Sequence, residues 1–161
     1  MSTTRKFTMT DKRTEITNAM KDAMRAKDEM TLSTIRLIIS KMKELDIEDR
    51  VKGNQNGIGD AQILSMMQGM IKQRTESAKV YRDGNRPELA EKEESEIKVI
   101  ERFLPAQLSD AEIEKLVEDI IAKTGATSVK DMGKIMAELK ANHAGSLDMG
   151  KAGAIIKAKL G

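Results

Sequence analysis

Apolar residues recur at intervals of three and four along almost the whole chain, which is the spacing of one helix face. The first stripe includes Ile16, Met20 and Ala23, and it predicts a helix over residues 14–26. The next stripe predicts a helix over residues 31–50. Because the break between them is short, we expect these two helices to lie side by side.

Glycine and asparagine interrupt this pattern over residues 52–59, where the sequence predicts a flexible loop. A third helix is predicted over 60–83, with Asp60 as its N-cap and Gly84 after its end. Proline is favoured in the first turn of a helix, so Pro87 predicts the start of a fourth, over 87–103.

A domain boundary is predicted at Leu104-Pro105-Ala106-Gln107, because proline interrupts a helix and disfavours helical backbone before it. Beyond it, Ser109 and Glu112 have the spacing of a capping box, so a helix begins there, and Gly125 should end it. Two shorter helices follow, the first capped by Ser128.

The expected fold is all-α, an N-terminal helical bundle followed by a small module of three helices. The expected domains are a flexible segment at 1–13, a helical domain at 14–103, a linker at 104–108 and a second helical domain at 109–161. Aromatic residues are 2% of the chain and there are 12 methionines, a composition that favours helices over strands.

A short motif occurs twice near the end of the chain, as Asp131-Met132-Gly133-Lys134 and as Asp148-Met149-Gly150-Lys151. Each copy opens an apolar helical segment, and the glycines predict close packing of backbones there rather than a phosphate-binding loop. No nucleophile or metal ligand set lies between the copies. The motif therefore indicates binding rather than a reaction.

The chain has no cysteine, which excludes disulfides, thiolate metal sites and a cysteine nucleophile. Because nothing indicates an oxidising compartment, a cytoplasmic location is the default expectation. We find no segment with the composition of a signal peptide or a membrane span, so a soluble protein without a membrane partner is expected. The sequence predicts no catalytic residue, cofactor or metal.

Charge is uneven along the chain although the net charge is +2. Residues 104–124 hold 2 basic and 5 acidic residues, whereas 125–161 hold 6 and 3. A basic surface can attract nucleic acid, although solvated helix surfaces often have such a balance. The six basic residues of the last segment are the candidate RNA contacts: Lys130, Lys134, Lys140, Lys151, Lys157 and Lys159.

Three features could suggest chemistry but have simpler interpretations. The glutamates of the fourth helix are expected to be solvated, with Glu94 and Lys98 at the spacing of a helical ion pair. Met66, Met67 and Met70 could form an adaptable partner surface, but core packing is the favoured interpretation. The single histidine, His143, lies in a polar segment between helices and suits a surface role better than catalysis.

Several motifs together resemble the YqeY-like family, whose C-terminal part is similar to the tail domain of the GatB subunit of glutamine-dependent aminoacyl-tRNA amidotransferases. The resemblance covers residues 14–160, and it is carried by Met24-Arg25-Ala26-Lys27-Asp28, Leu32-Ser33-Thr34-Ile35-Arg36, Ile71-Lys72-Gln73-Arg74, Gly84-Asn85-Arg86-Pro87-Glu88-Leu89-Ala90, Phe103-Leu104-Pro105, Gln107-Leu108-Ser109, Asp131-Met132-Gly133-Lys134-Ile135-Met136, Gly145 and Asp148-Met149-Gly150.

This resemblance implies a two-domain helical protein related to carbon–nitrogen ligases that use glutamine as amido donor. It also implies tRNA contact by the tail, whereas the amidotransferase chemistry belongs to domains that precede that tail. We therefore predict a non-catalytic accessory protein that binds tRNA, or an aminoacyl-tRNA amidotransferase or synthetase complex, and not DNA. Two alternatives remain. One is a protein-interaction module whose N-terminal bundle docks a partner helix, and the other is a subunit that completes an amidotransferase in trans.

Overall fold

A computed structural model describes residues 11–143 and 145–161. Within them the chain forms seven α-helices, one short 3₁₀ helix and no strand, which confirms the predicted all-α fold. The α-helices are α1 (Lys12–Ala26), α2 (Glu29–Val51), α3 (Asp60–Asp83), α4 (Pro87–Glu101), α5 (Asp110–Thr124), α6 (Met132–Asn142) and α7 (Met149–Leu160). The 3₁₀ helix, Val129–Asp131, immediately precedes α6.

Two parts of the predicted organisation fall outside the described residues. They are most of the N-terminal segment 1–13 and Ala144, which precedes the last helix. Among the helices that are described, none has the length and apolar character needed to cross a membrane.

Helices α1 and α2 each begin two residues before the predicted start, because capping side chains set these ends, whereas α3 and α4 begin where predicted. The carboxylate of Asp11 accepts the Thr14 backbone N–H at 2.8 Å, so α1 begins at Lys12 rather than at residue 14. Asp28 caps α2 in the same way through Thr31. The predicted cap Asp60 is the first residue of α3, and Gly59 precedes it as the N-cap.

At α5 the capping box has the expected reciprocal bonds. The Ser109 hydroxyl accepts the Glu112 N–H at 3.2 Å, and the Glu112 carboxylate accepts the Ser109 N–H at 2.8 Å. Gly125 ends α5 in left-handed backbone with φ 71°, a conformation that glycine adopts without strain. α4 ends at Glu101, two residues before the predicted end.

The chain divides into two compact units, one ending at Phe103 and the other spanning Leu104–Gly161. Helices α1 to α4 form the first unit, where α3 packs on α4 and α2 packs on α1 and α4. Met66, Met67 and Met70 lie inside this unit at 8% exposure or less, so the core interpretation of these methionines is correct. The isoleucines of the helices supply most of the remaining core, which includes Ile16, Ile35, Ile38, Ile63 and Ile100.

An ion pair between the partly exposed Arg13 and the buried Asp46 connects α1, α2 and the loop before α3. The Arg13 guanidinium donates to both oxygens of Asp46, at 2.8 and 2.9 Å, and to the backbone oxygen of Ile58 at 3.0 Å. The Ile58 N–H donates to Asp46 Oδ1 at 2.9 Å. The second half of the loop predicted to be flexible is therefore attached to the bundle, and Ile58 is buried.

Two further ion pairs connect α3 to α4, and one of them corrects the expectation of solvated glutamates at a single residue, Glu96. Arg74 Nε lies 2.9 Å from Glu96 Oε1, and Glu96 is buried. Glu94 pairs with Arg82 at 2.7 Å instead of forming the predicted ion pair with Lys98. The fourth helix therefore uses these two carboxylates to fix its position against the third, which helical spacing within one helix cannot reveal.

In the second unit, α5, α6 and α7 run up, down and up around one core. The Leu108 N–H donates to the Ser146 oxygen at 2.8 Å, so the segment before α5 lies beside the segment before α7. Lys151 contacts Asp110 at the start of α5, and Lys159 contacts Glu118, about two turns further along α5, so α5 and α7 are parallel. The core consists of Ile113, Val117, Ile120, Ile135, Leu139, Leu147, Ala152 and Ile156.

The Asp46 ion pair predicts a loss of stability in acid. Hydrogen bonding to Arg13 is the largest cause that lowers the pKa of Asp46 from 3.8 to about 2. A lowered folded-state pKa stabilises the fold above the unfolded pKa, and this stabilisation is lost as pH falls from about 4 to about 2. Because Arg13 is partly exposed to water, we expect a contribution of about 1–2 kcal/mol. Urea unfolding of the wild type and of Asp46→Asn at pH 2 to 7 measures it, and equal pH dependence of the two proteins would contradict the assignment.

The two compact units predict that the chain can be divided at residue 103 without loss of helix. Fragments 1–103 and 104–161 should together reproduce the circular dichroism spectrum of the whole chain. The shorter fragment is near the size at which one core is marginal, so its unfolding free energy should be about 3–5 kcal/mol or less. A matched division inside α5, at residue 116, should abolish helix in the shorter fragment. If the fragments divided at residue 103 and those divided at residue 116 had equal circular dichroism spectra, the boundary at residue 103 would not separate two folding units.

Candidate nucleic-acid interface

All six candidate lysines are exposed, but they lie at different places in the C-terminal unit. Lys130 is in the 3₁₀ helix, Lys134 is in the first turn of α6 and Lys140 is in its last turn. The remaining three are on α7, with Lys151 in its first turn and Lys157 and Lys159 in its last. The structure therefore does not bring the six together on one surface.

Two of the six are already paired with carboxylates of α5. Lys151 Nζ lies 2.9 Å from Asp110 Oδ1. Lys159 Nζ lies 2.7 Å from Glu118 and 3.3 Å from Glu114. Hydrogen bonding to these carboxylates raises the pKa of both lysines. A phosphate that approached either ammonium group would meet the negative charge of its partner, so both are poor phosphate contacts.

Three of the lysines belong to elements that meet at one end of the unit, and we call Lys130, Lys134 and Lys157 the lysine end. Gly161, which follows α7 as its C-cap, lies against the 3₁₀ helix, and a Cβ atom added at Gly161 would lie 3.8 Å from the Val129 Cγ2 atom. Lys157 is one turn before Gly161, and Lys134 is one turn after Lys130. By contrast, Lys140 is about 9 Å further along α6 than Lys134, toward the opposite end.

The three ammonium groups of the lysine end have no carboxylate within ion-pair distance in the described part of the chain. The acid nearest in sequence is Asp131, whose carboxylate accepts the Thr127 N–H at 3.0 Å. That backbone bond is the main cause of the lowered pKa of Asp131, and the charge of Lys134 is a smaller one. The lysine end therefore keeps most of its positive charge available to an external anion.

The repeated motif does not pack as predicted. A Cβ atom added at Gly133 would meet no atom within 4 Å, and one at Gly150 would meet the Asp148 carboxylate at 3.1 Å. The Gly150 N–H is capped by Asp148 at 2.8 Å. Close packing occurs instead at Gly153, where an added Cβ atom would lie 3.3 Å from the Met132 methyl group. The prediction of packing glycines in the motif is therefore wrong, because both are on the exposed side of their helices.

His143 follows α6, and its backbone N–H donates to the Leu139 oxygen at 2.8 Å. Its side chain is half-buried. Among the described residues, no three histidine or acidic side chains are placed to share a metal ion.

The N-terminal unit has an open groove of about 530 Å³ that the sequence did not indicate. The carboxylates of Glu15, Asp22 and Asp28 line it together with Arg102, above a floor that includes Phe103. Because three of these four charges are negative, the groove is unfavourable for phosphate. The lysine end is therefore the better candidate for an anionic ligand.

Comparison with known proteins finds similar mitochondrial proteins in yeasts. Proteins named "Altered inheritance of mitochondria protein 41, mitochondrial" from Vanderwaltozyma polyspora and Lachancea thermotolerans are each 33% identical, over 70% and 65% of this chain. The chain covers 62% and 54% of their lengths, so it spans less than two thirds of these relatives. The protein of the same name from Clavispora lusitaniae is 29% identical over 88% of this chain and 80% of its own length.

These names correct the expected cytoplasmic location, since all three relatives are named as mitochondrial. The expectation depended on the absence of cysteine, which excludes disulfides but does not distinguish between compartments in which disulfides are rare. A family model described as Yqey-like protein matches residues 13–160, which is nearly the whole chain and agrees with the resemblance carried by the motifs. The chain therefore belongs to the YqeY-like protein family.

Proposed function

We propose that this protein is a non-catalytic accessory factor that binds tRNA, alone or within a tRNA-handling complex, through its lysine end. The observation that carries the proposal is the difference between the six lysines. Lys151 and Lys159 are neutralised by α5, whereas Lys130, Lys134 and Lys157 remain available where two helices and a 3₁₀ turn meet. Three positive charges without an ion-pair partner in the described part of the chain, at one end of a small module, form a site for a polyanion.

The chemistry of this site suits the RNA backbone better than the bases. Lysine binds phosphate as a point charge, without the fixed planar geometry that a guanidinium offers. The C-terminal unit also has no phenylalanine, tyrosine or tryptophan on which an unstacked base could stack, and its one imidazole, that of His143, is half-buried. Binding should therefore depend on shape and phosphate positions, as expected for a protein that handles several tRNAs.

The resemblance to the amidotransferase tail supports tRNA as the RNA class, since the tail is the part that contacts tRNA in that enzyme. It also extends the proposal to a complex in which another protein supplies the ligase chemistry. In this chain the buried carboxylates Asp46 and Glu96 are occupied by Arg13 and Arg74, and both pairs hold helices together. Neither pair is arranged as a nucleophile with its base.

The lysine end predicts salt-dependent tRNA binding. If its three lysines neutralise three phosphates, the slope of log K against log salt should be roughly −2 to −3. Replacing Lys130, Lys134 and Lys157 by glutamate should weaken binding at least about tenfold and bring the slope close to zero. Because phosphate contacts do not identify bases, different tRNAs should be affected equally. Fluorescence titration of labelled tRNA at several salt concentrations measures these effects.

Two control variants separate the site from net charge. Lys72→Glu, Lys79→Glu and Lys92→Glu make the same change of charge on exposed lysines of the N-terminal unit, and they should weaken binding far less than the triple variant. Lys151→Ala with Lys159→Ala should leave affinity within about twofold, because both lysines are already neutralised. Equal losses in all three variants, with unchanged circular dichroism, would exclude the lysine end as the site.

The proposed function is binding and requires neither a nucleophile nor a general base. We therefore expect that the pure protein neither hydrolyses glutamine nor turns over ATP. Ammonia and phosphate release, measured with and without charged tRNA, should equal the rate without protein. His143→Ala should change neither release nor tRNA affinity, because that residue follows α6 with its backbone bonded to Leu139. Turnover that a single substitution abolishes would overturn the non-catalytic proposal.

A further inference from the structure

One face of α2 is exposed and carries three large aliphatic residues. The opposite face supplies the core, with Ile35, Ile38 and Met42 buried, so the orientation of the helix is fixed. On the exposed face, Leu37 is 44% exposed and Ile47 is 59% exposed. Large aliphatic side chains in such positions are not needed to form the helix, since charged residues of high helix propensity would serve as well.

The exposed residues follow the spacing of a coiled-coil seam. Positions four and three residues apart alternate along the face, and we call them the α2 seam: Ser33, Leu37, Ser40, Glu44, Ile47 and Val51. The two serines are small and leave room for large apolar side chains from a facing helix. Lys41 lies 3.4 Å from Glu44 and compensates the one charge in the seam. Three of the six seam positions are therefore large and apolar, and they lie in the register that faces a second helix.

One edge of this seam is basic. Arg36, Lys43 and Arg50 are seven residues apart, so they line the same side of the seam, and all three are exposed. In the described part of the chain, Arg36 and Lys43 have no carboxylate within ion-pair distance. Arg50 donates to the backbone oxygen of Gln55 at 3.4 Å. A helix that docks here would therefore place its own edge against a row of positive charges.

This charge pattern disfavours a second copy of the chain. In an antiparallel pair of α2 helices, Arg36 and Lys43 would face the same basic edge of the other copy. In a parallel pair, the two Glu44 carboxylates would meet within the seam. We infer that the α2 seam binds an amphipathic helix of another protein, one whose apolar stripe is flanked by acidic residues. Such helix recognition is independent of the lysine end, which lies in the C-terminal unit.

Binding of designed peptides tests this inference. The acidic probe has three heptads, about 21 residues, with leucine at the seam positions, glutamate at the flanking positions and glutamine elsewhere. The basic probe has lysine in place of each glutamate. At concentrations where each peptide alone is monomeric, the full chain should bind the acidic probe at least about tenfold more tightly, because its glutamates meet the basic edge.

Matched variants locate the binding. Leu37→Ser with Ile47→Ser should weaken binding of the acidic probe at least about tenfold, and Arg36→Glu with Lys43→Glu should reverse the preference between the probes. Val80→Ser is the control, since Val80 is 67% exposed and belongs to another helix, α3. Failure to bind the acidic probe, equal binding of both probes, or binding unchanged by the seam substitutions would overturn the inference. A dimer of the wild type that Leu37→Ser with Ile47→Ser dissociates would overturn it in favour of a second copy.

Discussion

The buried carboxylate of Asp46 is the constraint around which the N-terminal unit is arranged. At 4% exposure this charge cannot be solvated by bulk water, so the protein must supply its partners. α1 supplies Arg13, the loop before α3 supplies the Ile58 N–H, and Gly57 leaves space beside the carboxylate that a Cβ atom would overlap. Three segments that are distant in sequence therefore meet at one residue. Apolar packing, especially by flexible methionines, specifies the relative position of these segments less precisely than directed hydrogen bonds do.

The sequence predicted the helices well because each helix carries its own information. Apolar spacing located all seven, and local signals such as the Ser109 capping box and Gly125 fixed individual ends. Contacts between helices could not be predicted in the same way. The partner of Glu94 is Arg82 on the preceding helix rather than Lys98 one turn away, and the choice depends on how two helices pack. The same limit explains why Glu96 was expected in water but is buried against Arg74.

The candidate interface shows how a charge count differs from a charged surface. Six lysines against three acids over residues 125–161 indicated a basic segment, but two of those lysines face acids that come earlier in the chain. A signal for this pairing was present. Asp110, Glu114 and Glu118 are four residues apart and form one acidic stripe on α5, and Lys151 and Lys159 have the matching separation of eight on α7. Relating the two stripes required knowing that α5 and α7 are parallel neighbours.

α2 carries two apolar patterns, and only one of them is needed for the fold. The stripe that includes Ile35 and Met42 is the stronger one, and it accounts for the helix completely, so periodicity alone gives no reason to look for a second. The exposed pattern increases the risk of non-specific association, which is a cost without benefit to an isolated bundle. The exposed Leu37, Ile47 and Val51, in seam register beside a basic edge, therefore have their best physical explanation in a partner helix. Because this surface and the lysine end lie on separate units, protein binding and RNA binding can be impaired independently by substitution.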